Sequence, residues 1–111
     1  MKYVVIVTPE AEENIAAAYD YIAEHSPLNA ARWLRGLYKQ IDSLEEFPRG
    51  FGEAREQRHF AEEIRQVIFK SHLIIFPIDD ASGMVHVVYV RHGKMRAVGE
   101  PNDVEPDDSG S

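Results

Sequence analysis

Apolar residues follow two different periods along the chain, and the change of period predicts the secondary structure. Residues 2–7, KYVVIV, are rich in β-branched and aromatic side chains, which is typical of a β-strand. Over residues 11–22 apolar side chains recur at helical spacing, and Thr8 followed by Pro9 supplies a favourable N-cap and first helical position. The pattern therefore predicts a strand followed by a helix over residues 9–24.

A second helix follows the same signals. Ser26 is the predicted N-cap, Pro27 occupies the first position, and the helix ends before Pro48. Its apolar stripe comprises Ala30, Trp33, Leu34, Leu37, Tyr38, Ile41, Leu44 and Phe47. A connection of about three residues makes the two helices an antiparallel hairpin. Gly36 lies inside the second helix, where we expect it to allow close packing of the two helices.

Three further strands are predicted after a Pro- and Gly-rich loop over residues 48–63. They cover residues 64–70, 72–78 and 84–91, and the segment DDASG forms a hairpin turn between the last two. Pro77 is expected at the end of its strand, because proline cannot donate to a ladder of hydrogen bonds. The element order is therefore β-α-α-β-β-β.

This order predicts an α+β fold. The helical hairpin should pack on one face of a mainly antiparallel four-stranded sheet, giving a two-layer sandwich. Residues 1–98 are predicted to form the domain. Residues 99–111 are rich in proline, aspartate and serine, which favours a disordered acidic tail.

Composition and charge narrow the classes of function. The chain has no cysteine, which excludes disulfides and thiolate metal sites, and its apolar runs are shorter than the roughly 18 residues of a membrane span. No signal-peptide pattern opens the sequence, so we expect a cytoplasmic protein without a membrane partner. The net charge of −7 argues against a general nucleic-acid binder, but residues 49–98 carry eight bases and six acids, so this part is locally basic.

A cluster of basic residues ends the last predicted strand: Arg91, His92, Lys94 and Arg96. It could be a solvated strand end or the contact surface for an anionic partner, and the pattern leaves both interpretations open. One chemistry that such residues support is metal-independent RNA cleavage, in which a 2′-hydroxyl attacks the adjacent phosphate. His92 would transfer protons, while Arg65, Arg91 and Arg96 would stabilise the phosphate.

Patterns for other chemistries are absent. The histidines lie on separate predicted elements without ligand spacing, and no Gly-rich phosphate loop, zinc-protease motif or nucleophile elbow occurs. We therefore expect neither a metal nor a cofactor. The acid pairs Glu62–Glu63 and Asp79–Asp80 are interpreted as turn residues, because sequence neighbours point to opposite faces of a strand.

Several segments together resemble a known family. They are TPEAEENI from residue 8, YIAEHSPLNAARW from residue 21, IDSLEEFP from residue 41, IRQVIF from residue 64 and VVYVRHGKMR from residue 87. Over residues 3–96 the sequence is similar to RelE/ParE-type toxins, the plasmid-stabilisation proteins of bacterial type II toxin–antitoxin pairs. The resemblance implies the same β-α-α-β-β-β order and a toxin that a cognate antitoxin neutralises.

The resemblance also implies two alternative targets. One branch of the family cleaves mRNA on the ribosome, and the other inhibits DNA gyrase without nuclease activity. The long helical hairpin and the VRHGKMR ending resemble the gyrase-directed branch. The third strand begins with His72-Leu73 where relatives often have a Tyr-Arg pair, and no tyrosine follows Arg96. These departures favour gyrase inhibition over ribonuclease activity.

The resemblance assigns candidate sites residue by residue. In a ribonuclease, Arg65, Arg91 and His92 would be catalytic, and in either branch Lys94 and Arg96 are candidate phosphate or target contacts. Tyr38 and Phe51 are candidate antitoxin contacts, since antitoxins of this kind fold onto exposed apolar helix surface or a sheet edge. A toxin dimer or a toxin–antitoxin hetero-oligomer is a further expectation. Because many family toxins are basic and this chain is acidic, a non-toxic homologue that only binds an antitoxin is the third alternative.

Overall fold

The computed structural model describes residues 2–50, 54 and 63–93. Two helices and five strands occur in them: β1 (Val4–Val7), α1 (Pro9–Ala23), α2 (Pro27–Asp42), β2 (Ile64–Phe69), β3 (His72–Asp79), β4 (Met84–Val87) and β5 (Tyr89–His92). Short 3₁₀ turns at Ser43–Glu45 and Pro48–Gly50 follow α2. Phe51, Lys94, Arg96 and the tail at 99–111 lie outside the described residues.

The strands form one mixed sheet that confirms the α+β prediction. Its order is β1-β4-β3-β2, with β5 paired to β3 beyond the end of β4. All pairs are antiparallel except β1 with β4, which run parallel. The prediction of four strands changes in one respect, because the last apolar run is divided into β4 and β5.

A β-bulge at Val88 causes this division. Ile78 lies opposite Val85 and Ile75 lies opposite Tyr89, so the last run has one residue more than β3 between these two pairs. The Val88 N–H donates to the Ile75 carbonyl at 3.0 Å. A bulge of this kind changes which alternate side chains face each side of the sheet.

The helix starts agree with their predicted caps. The Ala11 N–H donates to Thr8 Oγ1 at 3.2 Å, and the Asn29 N–H donates to Ser26 Oγ at 3.1 Å. Thr8 also donates its hydroxyl proton to the Val87 carbonyl at 3.0 Å, which ties the start of α1 to the end of β4. Each cap satisfies an N–H that has no partner within its helix.

The core lies between the helical hairpin and the sheet. Its buried members include Ile15, Trp33, Leu37, Ile41, Leu44, Val67, Ile74, Phe76, Val85, Val87 and Val90. A smaller apolar cluster of Ala54, Ile64 and Ile75 covers the opposite face of the sheet. Both faces of β3 are therefore buried, which is the environment that its almost entirely apolar sequence predicts.

Gly36 packs against the sheet and not against the first helix, which corrects the prediction of helix–helix packing. A Cβ atom at this position would lie 2.7 Å from Phe69 Cζ in β2. The glycine therefore makes room for an aromatic ring that the helical period alone does not locate.

Pro77 also departs from its predicted position. It lies within β3, two residues before Asp79, and faces Ile64, the first residue of β2. The missing N–H is tolerated by β2 because the next residue, Ile78, donates to the Glu63 carbonyl at 3.1 Å, so the alternating pattern of an antiparallel ladder makes Ile64 and Pro77 a pair without hydrogen bonds. Among the described residues, no helix is long and apolar enough to cross a membrane.

Candidate functional site

The three candidate catalytic residues do not lie on one face of the sheet. Arg65 pairs with Phe76, which packs toward the helices, whereas Arg91 pairs with Leu73, which packs in the smaller cluster on the other face. His92 is the sequence neighbour of Arg91, so it points toward the helical side. The structure thus separates Arg91 from the other two residues.

Arg65 and His92 share a face but lie far apart along it. Their partners on β3 are Phe76 and His72, which are four residues apart in sequence. At a rise of about 3.3 Å per residue this is roughly 13 Å along the strand, before the separation across the sheet is added. One phosphate group could not contact both side chains directly.

Arg91 is buried. Only 5% of the residue is exposed, and it is the charged member of the buried set in the described part of the chain. Its guanidinium therefore belongs to the interior of the second face and does not present a cation to solvent.

Arg65 belongs to an ion-pair cluster that the sequence patterns did not reveal. Its Nε donates to Glu63 Oε2 at 2.9 Å. Arg49 donates from Nη2 to Glu63 Oε1 and to Asp80 Oδ2, both at 2.7 Å, and from Nη1 to the Tyr3 hydroxyl at 3.1 Å. The cluster joins the segments that flank β1, α2, β2 and β3. Its geometry therefore indicates that it stabilises the fold.

The charges in this cluster shift one another's pKa values. Hydrogen bonds from Arg49 lower the pKa of Glu63 and of Asp80 below their ordinary values, and Arg65 and Tyr3 respectively contribute in the same direction. The same carboxylates raise the pKa of Arg49. Arg49, Glu63 and Asp80 are therefore charged at neutral pH, which suits a structural ion pair better than a proton-transfer site.

An aromatic stack on the helical side contains His92 and two residues that the site prediction missed. The ring centroids of His72 and His92 are 5.3 Å apart, and those of His72 and Trp33 are 5.2 Å apart, both in edge-to-face geometry. Burial, assisted by His92, lowers the pKa of His72 below its ordinary value. His72 is therefore a neutral, half-buried ring at pH 7.

This stack borders a cavity of about 520 Å³ between α1 and the turn that joins β2 to β3. Its lining includes Asn14, Ala17, Ala18, Tyr21, Ile22, Trp33, Lys70, Ser71, His72, Val90 and His92. Asn14 Oδ1 accepts a hydrogen bond from the Val90 N–H at 3.1 Å, which holds β5 against α1. For simplicity we call it the Trp33 cavity.

The outer surface of the helical hairpin carries a second concavity, here called the hairpin groove. It is lined by Tyr19, Ala31, Leu34, Arg35, Tyr38, Lys39 and Asp42 and encloses about 620 Å³. Burial, with a smaller effect of Glu12, raises the pKa of Tyr38. Tyr38, the candidate antitoxin contact, thus presents a neutral, partly buried phenol beside two cations.

The remaining candidates are not located. Phe51, Lys94 and Arg96 lie outside the described residues, so their contacts stay predictions. In the part of the chain that is described, no three histidine or acidic side chains approach one another closely enough to hold a metal ion.

Sequence signals for the missed residues were weak for a physical reason. Arg49 donates hydrogen bonds to Glu63 and Asp80, which lie 14 and 31 residues away in the sequence. Trp33 meets His72 only because α2 crosses the turn between β2 and β3. A cross-strand pairing of His72 with His92 could have been found by fixing the strand register, which the unrecognised bulge prevented.

Comparison with known proteins gives a consistent set of similarities. Residues 5–97 match the family model described as the ParE toxin of the type II toxin–antitoxin system, parDE. No curated protein sequence matches the chain.

Two solved toxin–antitoxin structures share the fold. The first is the RelBE2 complex from Mycobacterium tuberculosis, with a TM-score of 0.60 and 17% identity over 83% of this chain and 99% of that chain. The second is the chromosomal ParDE system from P. aeruginosa, with a TM-score of 0.66 and 15% identity over 82% of this chain and 96% of that chain. At these identities the likeness concerns the fold.

Proposed function

The chain belongs to the ParE toxin family of type II toxin–antitoxin systems, and we propose that it inhibits DNA gyrase by protein–protein contact until a cognate antitoxin neutralises it. The observation that carries the proposal is the match of the ParE family model to residues 5–97. The resemblance of the helical hairpin and the final strand to the gyrase-directed branch supports the same target.

The geometry of the basic residues favours this target over RNA. Catalysis of RNA cleavage requires the proton-transfer group and the phosphate-binding cations to reach one phosphate. Arg91 is buried on one face of the sheet, while Arg65 and His92 lie well apart on the other. A toxin that acts by binding has no such requirement.

Expression without the antitoxin tests the proposal. The chain is induced in a bacterial host, and growth, nucleoid shape and transcript integrity are followed, while the purified protein is added to a gyrase supercoiling assay. We expect growth arrest, inhibited supercoiling and intact transcripts. Cuts in ribosome-bound mRNA would instead establish the ribonuclease, and normal growth with soluble, folded protein would establish a non-toxic homologue.

Substitutions at the candidate sites sharpen this test. Arg65→Gln and His92→Gln should leave gyrase inhibition within about twofold of the parent chain, whereas a ribonuclease would lose activity by two to four orders of magnitude. The double variant Lys94→Ala/Arg96→Ala should weaken gyrase inhibition about tenfold or more, as these residues are the candidate target contacts. Arg35→Ala/Lys39→Ala, at the hairpin groove, is the matched loss of two cations.

We further propose that the antitoxin binds at the hairpin groove. Tyr19, Leu34 and Tyr38 supply apolar surface, and Arg35 and Lys39 at its border favour a segment that carries acidic residues. Tyr38→Ala should weaken binding of the protein encoded by the neighbouring gene at least tenfold in calorimetry. Tyr21→Ala removes an exposed tyrosine away from the groove and should have no effect. Light scattering of the complex would then show whether it is a heterodimer or a larger assembly.

A further inference from the structure

The two helices of the hairpin carry opposite charges. Four acidic residues and no base occur in α1, whereas three bases and one acid occur in α2. A second concavity of about 320 Å³ adjoins the hairpin groove, shares Tyr19, Leu34 and Tyr38 with it, and is bordered by Glu12 and Asp20. The groove thus has a largely apolar floor, an acidic side on α1 and a basic side on α2.

The charges on the two sides of the groove can be reached by a partner. They are Glu12 and Asp20 on α1 and Arg35 and Lys39 on α2, and all four residues are exposed. None of the four forms an ion pair with another residue in the described part of the chain. Asp42, at the end of α2, is the one acid on the basic side. Such a groove is complementary to an apolar surface whose two sides carry the inverse order of charges.

A second copy of the chain presents this inverse order in one orientation. If it is turned about a twofold axis parallel to the helices, α1 of each copy lies over α2 of the other, and acidic sides face basic sides. If the axis lies across the helices instead, α1 lies over α1 and like charges meet. The charges on the hairpin therefore favour the first of these two symmetric arrangements.

The opposite charges also lie at matching levels along the helices. Glu12 and Tyr38 line the same concavity, so Glu12 is level with the part of α2 that contains Lys39. Asp20 and Leu34 line that concavity too, which places Asp20 within about one helical turn of Arg35. A rotation about an axis parallel to the helices preserves these levels. Lys39 of one copy then faces Glu12 of the other, and this contact occurs twice in the dimer.

The apolar floor of the groove provides the centre of such an interface. Tyr19, Leu34 and Tyr38 are only partly buried within one chain. Helices of 15 and 16 residues are about 23 Å long, and two hairpins stacked in this way form a four-helix bundle whose centre these side chains fill from both copies. We propose that the free chain self-associates through the hairpin groove into a twofold dimer.

This dimer has a consequence for regulation. It covers the surface proposed above for the antitoxin, so the antitoxin has to displace a second copy of the toxin. That consequence rests on the proposed function, whereas the dimer itself does not.

Sedimentation equilibrium of the full-length chain, without antitoxin, tests the proposal. Concentrations run from about 1 µM to about 500 µM at low salt. The interface is at the small end of the standard size range, so we expect a reversible monomer–dimer equilibrium with a dissociation constant on the order of 10 µM. Raising the salt concentration about tenfold should weaken the dimer about threefold, because the pairs at the sides of the groove are exposed to solvent.

An exchange of charges identifies the surface and the orientation. Glu12→Lys and Lys39→Glu should each weaken self-association about tenfold or more, because like charges then face each other twice in the dimer. An equimolar mixture of the two variants restores a lysine–glutamate contact at both places, so it should form a heterodimer within about threefold of the parent constant. This rescue also shows that both variants are folded.

Glu10→Lys is the matched control on the same helix. Glu10 lies four residues before Asn14, which borders the Trp33 cavity, so it lies on another side of α1 from the groove. The substitution makes the same change of charge as Glu12→Lys but should leave the constant within about twofold of the parent value.

Three results would overturn the proposal. The first is a parent chain that stays monomeric at about 500 µM, some fifty times the expected constant. The second is a dimer that neither charge variant weakens, which would place the interface on another surface. The third is a mixture of the two variants that stays monomeric. If the parent is monomeric and a dimer forms only after the five acids of residues 99–111 are changed to amides, the tail occupies the groove. None of these measurements uses gyrase or an antitoxin, so their failure leaves the proposed function standing.

Discussion

The close contact between Gly36 and Phe69 makes a quantitative prediction about stability. Replacing Gly36 by alanine places a Cβ atom 2.7 Å from Phe69 Cζ and 3.1 Å from Cε1. Carbon atoms in contact prefer about 3.5–4.0 Å, so the ring has to move by roughly 0.9 Å. The ring is packed against the core and belongs to the last residue of β2, next to the turn.

Two effects of opposite sign compete in this variant. Alanine in a helix interior is favoured over glycine by about 1 kcal/mol. Overpacking a core contact costs about 1–3 kcal/mol, because it displaces side chains and backbone. We expect the second effect to win, with a net loss of about 1 kcal/mol in the free energy of unfolding. For a domain of this size the midpoint of thermal unfolding falls by roughly 4 °C.

A double-mutant cycle separates the two effects. Phe69→Leu removes the ring atoms that the new Cβ would meet. In that background Gly36→Ala should stabilise the protein by about 1 kcal/mol, as only the helix propensity remains. The coupling between the two sites is then about 2 kcal/mol. Urea unfolding followed by Trp33 fluorescence and by circular dichroism measures all four variants. Equal effects of Gly36→Ala in both backgrounds would refute the assignment of this glycine to the Phe69 contact.

Four further predictions concern single side chains. Thr8→Ala should lower the free energy of unfolding by about 2 kcal/mol and Ser26→Ala by about 1 kcal/mol, because the first hydroxyl bonds to both a helix and a strand; urea titration checks the order. Arg49 lowers the pKa of two carboxylates, so its stabilisation is present above their unfolded pKa values of about 4 and is lost as the pH falls through the lower folded values. In Arg49→Gln the free energy of unfolding should therefore fall less between pH 5 and pH 2 than it does in the parent chain. The pKa of His72 is lowered on folding, so stability should fall as the pH drops below about 6.5, and His72→Phe should remove this component. Lys70 has a φ angle of 54°, so Lys70→Gly should raise the free energy of unfolding by about 0.5–1 kcal/mol in thermal denaturation.

Controls for these variants use neighbours that lack the feature in question. Lys39→Gln removes a cation without a carboxylate cluster and should leave the acid limb of the stability curve unchanged. His25→Phe changes an exposed histidine on the connection between the helices and should not reproduce the effect of His72→Phe. A loss of stability in Lys70→Gly would show that the left-handed backbone there is not strained.

Local chemistry explains which parts of the fold were predictable. The pairs Thr8-Pro9 and Ser26-Pro27 each combine an N-cap with a residue suited to the first helical turn, and both helices start there. Such signals act over three or four residues, within the range that a pattern in the sequence can show. The strands were predictable for a similar reason, since alternation and apolar runs reflect burial on one or both faces.

Contacts between distant segments explain what was missed. Nothing near Arg49 in the sequence indicates that Glu63 and Asp80 converge on it, and the sequence pattern predicts ordinary turn residues at both positions. The cluster forms because the 3₁₀ turn after α2 passes the start of β2 and the end of β3 at the same edge. Only the folded topology brings these three segments together, so periodicity and spacing in the sequence could not predict the ion-pair cluster.

The bulge at Val88 determines how the basic strand end is divided between the two faces. In a regular strand, Val85, Val87, Tyr89 and Arg91 would all face the helices. Because the bulge adds one residue, Val90 and His92 face them instead, and Arg91 turns into the cluster on the opposite face. The only trace of this in the sequence is the pair Val87-Val88, where the alternation is interrupted. Arg91 and His92 are thus adjacent in sequence but lie on opposite faces of the sheet. Arg91 is buried on the face away from the helices, and His92 borders the Trp33 cavity. Lys94 and Arg96, which follow β5 in the sequence, stay the predicted target contacts of this segment, and the double substitution there tests that prediction.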